Sequence, residues 1–280
     1  MAIRITSDST CDLGALVEQY NIGILPLGVN LDAQSYLDGV NITPQDIFKF
    51  VAETKTLPKT NAPSIAEYEE FFEEQLKSYD ELIHFNISDK CSGSHNMAKQ
   101  AAASFNGKVR VIDSMALSSG QGLLVMKAVD LLKEGKTADE IVEGVEALRS
   151  KVNTSFVPDS LDYLHKGGRV SGTINVAAAV LKIHPLIYMK DGQLLPGKKY
   201  TGKMTMCIKR YIADLKEMYP EYDTTRCFVT HSCADEELVQ LAKELVKENF
   251  HFEEVIETVA GSIITSHCGR NTLGVLFITK

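Results

Sequence analysis

The sequence predicts an α/β protein of two lobes, an N-terminal three-layer domain around a mostly parallel sheet over residues 1–155 and a C-terminal mixed-sheet domain over 156–280. Three observations lead there. Short apolar strand candidates alternate with amphipathic helical segments through the first half, which is how a parallel sheet is wound. After about Asn153 the rhythm changes and strand candidates crowd together. Among these, Asp191-Gly192 has the composition of a two-residue hairpin turn, which brings antiparallel pairing into the second half.

Taken in order, Ala2 to Thr6 and Ile22 to Val29 read as strands around a helix that Asp12 is placed to cap. Helices follow over Thr43 to Glu53, Ser64 to Ser78 and Asn96 to Phe105, with strands at Glu81 to Ile87 and Val109 to Ile112. Ser64 with Glu67 three residues on is a capping-box spacing. A ligand crevice is expected at the carboxyl ends of these strands. Gly120 to Lys133 is an apolar helical run with small residues, and Ala138 to Leu148 is a second, amphipathic one. The second half offers strands at Thr154 to Val157, His184 to Met189, Gln193 to Leu195, Cys227 to His231, Phe252 to Thr258 and Gly274 to Ile278. Helices near Met204 to Tyr219 and Asp235 to Asn249 interrupt them. No internal repeat, low-complexity tract or charged tail is visible.

Bulk composition narrows the function classes. The 280 residues are 44% hydrophobic, enough for a core divided between two lobes. With 29 basic against 37 acidic residues the net charge is −8, which repels nucleic-acid backbones and offers no general attraction to anionic lipid. Nucleic acid is therefore not an expected partner. The six cysteines are scattered without CxxC or His/Cys spacing and are read as reduced thiols, with no metal site. No signal segment and no stretch of about 20 apolar residues appears, so no integral membrane segment is expected and the cytoplasm is the expected location.

Five polar segments stand after strand candidates and place hydroxyls, glycines and cations in loops: Ser7-Asp-Ser-Thr10, Lys59-Thr-Asn-Ala-Pro-Ser64, Cys91-Ser-Gly-Ser-His95, His165-Lys-Gly-Gly-Arg-Val-Ser171 and Ser266-His-Cys-Gly-Arg-Asn-Thr-Leu-Gly274. Each has two readings. Ser92-Gly93-Ser94 is either an anion-facing turn with free N–H groups or a plain N-cap. Thr60 ahead of Pro63 is either an aimed hydroxyl or an ordinary turn residue. Arg169 after paired glycines suits a carboxylate or a surface ion pair. His267 is a ligand or a satisfied core histidine, and Asp8 a base or a cap. Ser92, His267 and Asp8 make a nominal triad, but no serine sits in a Gly-x-Ser-x-Gly elbow. Walker A and GxGxxG loops are absent too. No catalytic residue and no cofactor is expected.

In this order the segments closely resemble the DegV family, bacterial fatty-acid-binding proteins that include the FakB-type subunits of fatty acid kinase. The resemblance spans essentially the whole chain. It rests on Thr6-Ser-Asp-Ser-Thr-Cys-Asp-Leu13, Leu25-Pro-Leu27 with Tyr36-Leu-Asp-Gly39, Leu57-Pro-Lys-Thr60 with Pro63-Ser64, and Ser92-Gly-Ser94. It continues through Val111-Ile-Asp-Ser114, Leu161-Asp-Tyr-Leu-His-Lys-Gly-Gly-Arg-Val-Ser171, Ile183-His-Pro185 and His267-Cys-Gly-Arg-Asn-Thr-Leu-Gly274.

The resemblance implies a two-lobed α/β fold related to dihydroxyacetone-kinase substrate domains, with one long-chain fatty acid buried between and within the lobes. It implies that a separate fatty acid kinase subunit phosphorylates the bound carboxylate, so that this chain carries substrate and performs no catalysis alone. Thr60 and Ser92 match the head-group hydroxyls, Arg169 and His267 the cationic and imidazole positions, and Asn61, Gly93, Ser94 and Gly269 complete the implied ligand site. The family usually shows Lys-Thr-Ser-Gln-Pro where this chain has Lys59-Thr-Asn61-Ala62-Pro, and Ser-Gly-Thr-Tyr where it has Ser92-Gly-Ser94-His95. Tyr200 stands where an arginine is common.

A dry tunnel suits such a ligand, because each buried CH₂ contributes about 0.8 kcal/mol. The carboxylate needs donors in place of water, which hydroxyls and an imidazole supply. Ile174 to Leu181 and Gly120 to Met126 are candidates to line the tunnel, with ordinary helix packing as the competing reading. The alternative function is an enzyme acting on a small carbonyl or phosphorylated substrate, in the manner of dihydroxyacetone kinase.

Overall fold

Residues 2–170 and 183–280 are described by the computed structural model of the chain. The first half contains β1 (Ile3–Asp8), β2 (Gly23–Leu25), β3 (Gly28–Leu31), β4 (Gln34–Leu37), β5 (Lys59–Asn61), β6 (Glu81–Asn86) and β7 (Val109–Asp113). The second contains β8 (Val152–Asn153), β9 (Ser155–Val157), β10 (Ile183–Lys190), β11 (Gln193–Thr201), β12 (Tyr222–Ser232), β13 (Glu254–Val259) and β14 (Thr272–Thr279).

Strands β2-β1-β6-β7 form a wholly parallel sheet. Its central strand β6 shows why it is covered on both sides. Leu82 packs with Tyr68, Phe72 and Ala98 of the helices Ile65–Leu76 and Ser94–Ala102. The alternate residues Ile83 and Phe85 pack with Leu123, Leu124 and Met126 of the helix Ser119–Lys133. Side chains alternate across a strand, so one near-continuous apolar run feeds two helix layers. Three helices of this half carry a reciprocal capping box, Thr43 with Asp46, Ser64 with Glu67 and Thr137 with Glu140.

A second, mixed sheet runs β11-β10-β9-β14-β12-β13, with β8 on β14. Among the described strands of this sheet, β12 and β13 are the one parallel pair. The β10–β11 hairpin turns at Asp191 and Gly192, with φ of 51° and 77°, as a tight turn with two left-handed residues demands. The fold is thus mixed α/β with one parallel and one mixed sheet.

Several local expectations are corrected. The single strand Ile22 to Val29 is two strands, because Pro26 interrupts it, and the chain leaves the parallel sheet at Leu25 to enter a different sheet at Gly28. That small antiparallel sheet, β4-β3-β5, takes in Lys59–Asn61, which looked like loop. Asp12 does not cap the helix that follows it in sequence: its φ of 48° ends a short 3₁₀ turn, and its carboxyl accepts from Ser118 and from the Gly261 N–H at the head of the remote helix Ser262–Cys268. Two short helices, Asp162–Gly167 and Ser262–Cys268, carry residues expected in loops. The run Gly120 to Met126 belongs to a helix packed in the core and does not line the cavity described below. Ile174 to Leu181 and Ser171 lie outside the described residues. Among the described residues no helix is long and apolar enough to cross a membrane, and all six cysteines are free thiols.

Candidate functional site

Beyond the carboxyl ends of β6 and β7, the chain closes around a cavity of about 320 Å³. One wall is Ile87, Ser92 and Gly93, from the segment between β6 and the helix Ser94–Ala102. Thr60 and Asn61 of β5 form another, and Ile263, Ile264 and His267 of the helix Ser262–Cys268 a third. Leu164 and Arg169 close it from the helix Asp162–Gly167 and the turn after it.

Two parts of the chain meet in one hydrogen bond here, Thr60 Oγ1 to His267 Nε2 at 2.9 Å. Pairing of β5 with β3, Thr60 against Val29, fixes the threonine backbone. His267 sits in the last turn of its helix. Burial first, and the nearby Arg169 charge second, lower its pKa to about 4, so the imidazole is neutral at physiological pH. A neutral ring has one donor and one acceptor nitrogen. Its Nδ1 is buried with no hydrogen-bond partner among the described residues. Gly167 makes room for it, since a Cβ there would lie 2.8 Å from Nδ1.

Ser92 Oγ accepts from the Ser94 N–H at 3.2 Å, which shapes the turn and leaves the hydroxyl proton for an acceptor in the cavity. Arg169 is exposed at the rim, its Nη1 donating to the Gly167 carbonyl at 2.6 Å. Asn61 lines the cavity while its Oδ1 accepts from Asn30 Nδ2 across the small sheet.

Two expected site residues face elsewhere. Ser94 is fully buried beneath the turn, bonded to Tyr68 Oη at 2.6 Å and donating to Asp8 at 3.4 Å. Gly269 ends the helix of His267 with φ +77° and packs on Tyr163, where a Cβ would lie 2.7 Å from the ring. Both hold the walls of the cavity rather than line it.

The nominal triad does not assemble. Asp8 Oδ1 accepts from Thr10 and Gln121 Nε2, and Oδ2 from Asn86 Nδ2 and the Ile87 N–H. A carboxylate so engaged is a structural anchor for the β6 end of the site. Two thiols, Cys91 and Cys268, also line the cavity, and burial pushes them up to about 11 and about 12, so neither is an activated nucleophile. No group of three or more His, Cys, Asp or Glu residues placed to hold a metal occurs among the described residues.

The apolar part of the site is what sequence reasoning missed. Leu27, Ile87, Leu164, Leu194 and Ile264 all face the cavity, yet each reads as ordinary core in sequence. A second chamber of about 30 Å³ lies beside it, sharing Leu117, Ile264 and Cys268 and continuing to Phe156 and Leu276. The hydroxyls around that chamber are turned onto partners: Ser155 to Tyr211, Thr230 to Thr258, Ser232 to Thr265 and Thr272 to the Cys268 carbonyl. With their polar atoms satisfied, they present mainly carbon inward. The arrangement therefore has a polar end of hydroxyls, neutral imidazole and guanidinium, and an apolar interior.

Comparison with known proteins is consistent along the whole length. The model of the DegV family matches residues 2–280. A DegV domain-containing protein of Caldanaerobacter subterraneus subsp. tengcongensis is 33% identical over 281 residues, covering 99% of each chain. A solved DegV family protein from Thermus thermophilus, described for its fatty acid binding, superimposes with a TM-score of 0.91 at 30% identity and covers 100% of both chains. The solved DegV of Bacillus subtilis, described as a fatty acid binding protein, gives 0.86 at 27% identity, again over 100% of both chains.

Proposed function

Since this chain belongs to the DegV family, we propose that it binds a long-chain fatty acid, with the acyl chain in the apolar cavity and the carboxylate at the polar end. Thr60 and Ser92 hold the head group through their hydroxyls, His267 through its imidazole and Arg169 through its charge at the rim. Asn61 and Gly93 border this end, while Ser94 and Gly269 support it from behind. One observation carries the reading: a cavity of about 320 Å³, lined by aliphatic side chains such as Leu27, Ile87, Leu164, Leu194 and Ile264, ends in a hydroxyl–imidazole pair, Thr60 and His267. The two solved relatives described as fatty-acid-binding, at 30% and 27% identity, support it.

The energetics favour this ligand. Each methylene moved from water into such a cavity gains about 0.8 kcal/mol. A carboxylate brought along with the chain loses its hydration, and the donors at the polar end replace it. His267 is neutral, so among the described lining residues the formal positive charge comes from Arg169, at the exposed side. That polarity keeps the tail inside and leaves the carboxylate near the surface.

A carboxylate presented at a rim is open to a second protein. We assign this chain the role of carrier in two lobes meeting near residue 155, located in the cytoplasm, which offers the carboxylate to a fatty acid kinase subunit for acyl-phosphate formation. Its own residues supply binding and orientation. At Tyr200, where an arginine is common in the family, the side chain is buried and donates to Asp214 at 2.8 Å, so the exposed cations of this stretch are Lys198, paired with the same carboxylate, and Lys199.

Native mass spectrometry of the purified protein, with and without supplied palmitate or oleate, tests the reading. One added fatty acid per chain is expected. Protein that stays unliganded with every fatty acid supplied would overturn it.

A further inference from the structure

The helix Ser262–Cys268 contributes Ile263, Ile264 and His267 to the cavity, yet it is only seven residues long. So short a helix does not fix its own direction. At its head, two backbone donors are taken up by carboxyls from distant loops. The Gly261 N–H donates to Asp12 Oδ1 at 2.8 Å, and the Ser262 N–H donates to Asp38 Oδ1 at 2.7 Å. The remaining oxygens are tied down in turn, Asp12 Oδ2 by the Ser118 hydroxyl and Asp38 Oδ2 by the Ser9 hydroxyl. Asp12 and Asp38 are 6% and 4% exposed. They converge on Gly261, where a Cβ would lie 3.1 Å from an oxygen of each.

From this geometry we infer that Asp12 and Asp38 are positioning residues for the ligand head group: together they clamp the head of the helix so that His267, at its other end, meets Thr60. Neither residue lines the cavity, and neither is bonded to His267. Their effect passes through the helix backbone. The clamp also joins three separate parts of the fold, since Asp12 follows β1, Asp38 follows β4 and the helix follows β13. Burial raises both carboxyls above their ordinary range, Asp12 well above, with Asp38 and Asp8 adding like charge. Side chains so costly to bury are supported here by four hydrogen bonds directed at them.

The inference rests on the fatty-acid reading for its ligand and on the Thr60–His267 bond for its mechanism, and the two are tested separately. Asp12→Ala, Asp38→Ala and the matching Asn variants are compared by calorimetric titration with palmitate and by ¹⁵N spectra of the His267 ring. Each Ala variant is expected to bind palmitate about tenfold more weakly, the equivalent of one hydrogen bond of this kind. Its ring ¹⁵N signals should shift even without ligand, and each Asn variant, which keeps the accepting oxygen, should restore both readouts. Folded Ala variants with wild-type affinity and unchanged ring signals would overturn the clamp. If the Ala variants do not fold, Gly261→Ala decides: it keeps both carboxyls but sets a methyl between them, so wild-type affinity and ring signals there would equally overturn it. Wild-type protein that binds no palmitate would sink the fatty-acid reading alone, because the ring signals of the unliganded variants still report on the clamp.

Discussion

Thr60 and His267 lie 207 residues apart in the chain and share a hydrogen bond of 2.9 Å inside the cavity. This bond joins β5 of the small antiparallel sheet to the helix Ser262–Cys268, so it supports the structure as well as the proposed ligand site. Replacing Thr60 by Val keeps the shape and removes the hydroxyl, leaving both His267 nitrogens buried without a partner among the described residues. A loss of about 1–3 kcal/mol is expected in urea unfolding, together with weaker palmitate binding.

The depressed pKa of His267, about 4 against an ordinary 6.5, sets a pH dependence with a definite sign. Between these values the unfolded chain binds the proton and the folded one does not, so this group makes stability rise with pH across that window. Asp12 and Asp38, whose carboxyls are raised, act in the opposite direction above the ordinary carboxylate range. The contribution of His267 is therefore read by difference. Wild-type stability should fall relative to His267→Gln by up to about 3 kcal/mol as pH drops from 6.5 to 4. Parallel stability curves for the two proteins would refute the assignment of a buried neutral imidazole.

Gly167 is helical and faces the imidazole, with space for no Cβ closer than 2.8 Å to Nδ1. Alanine there improves helix propensity by about 1 kcal/mol yet pushes His267 away from Thr60. Gly167→Ala should leave the circular dichroism spectrum unchanged and reduce palmitate affinity, a combination that isothermal titration and spectroscopy check on one sample.

Away from the cavity, Tyr211 ties the mixed sheet to the helix Met204–Met218. Its hydroxyl donates to the Ser155 carbonyl at 2.8 Å and accepts from the Val275 N–H at 3.0 Å. Tyr211→Phe leaves buried backbone groups unpaired and should cost about 1–3 kcal/mol, seen as a lower thermal midpoint. Because the second chamber is bordered by Ser155, loss of this tie should also loosen ligand retention.

The fold class was legible because period and punctuation agree. β6 has alternating partners on two helix layers, Ser64 and Glu67 form the box their spacing announces, and Asp191-Gly192 turns the hairpin. What misled were places where tertiary pairing overrides local pattern. Lys59–Asn61 is polar and precedes Pro63, and it becomes a strand because β3 is there to pair with it. The helix Ser262–Cys268 is too short to show a period, and its head is capped by Asp12 and Asp38 from remote loops, not by a neighbour in sequence.

The polar end of the site was legible for a different reason. The family resemblance singled out Thr60, Ser92, Arg169 and His267, each of which has an ordinary local reading as well, and the structure brings all four to one cavity. Ser94 and Gly269 belonged to the same motifs, and nothing in a motif tells a lining residue from one that holds the wall. The aliphatic lining left no trace, since Leu164 and Ile264 inside a cavity have the same sequence signature as Leu164 and Ile264 inside a solid core.

The most direct test of the central claim is the carboxyl signal of palmitate labelled with ¹³C at C1, observed by NMR in complex with the protein. One bound resonance is predicted, displaced from that of free palmitate, and moved again in both Thr60→Val and Ser92→Ala. No distinct bound resonance, or one that neither substitution disturbs, would contradict a head group held at this end of the cavity.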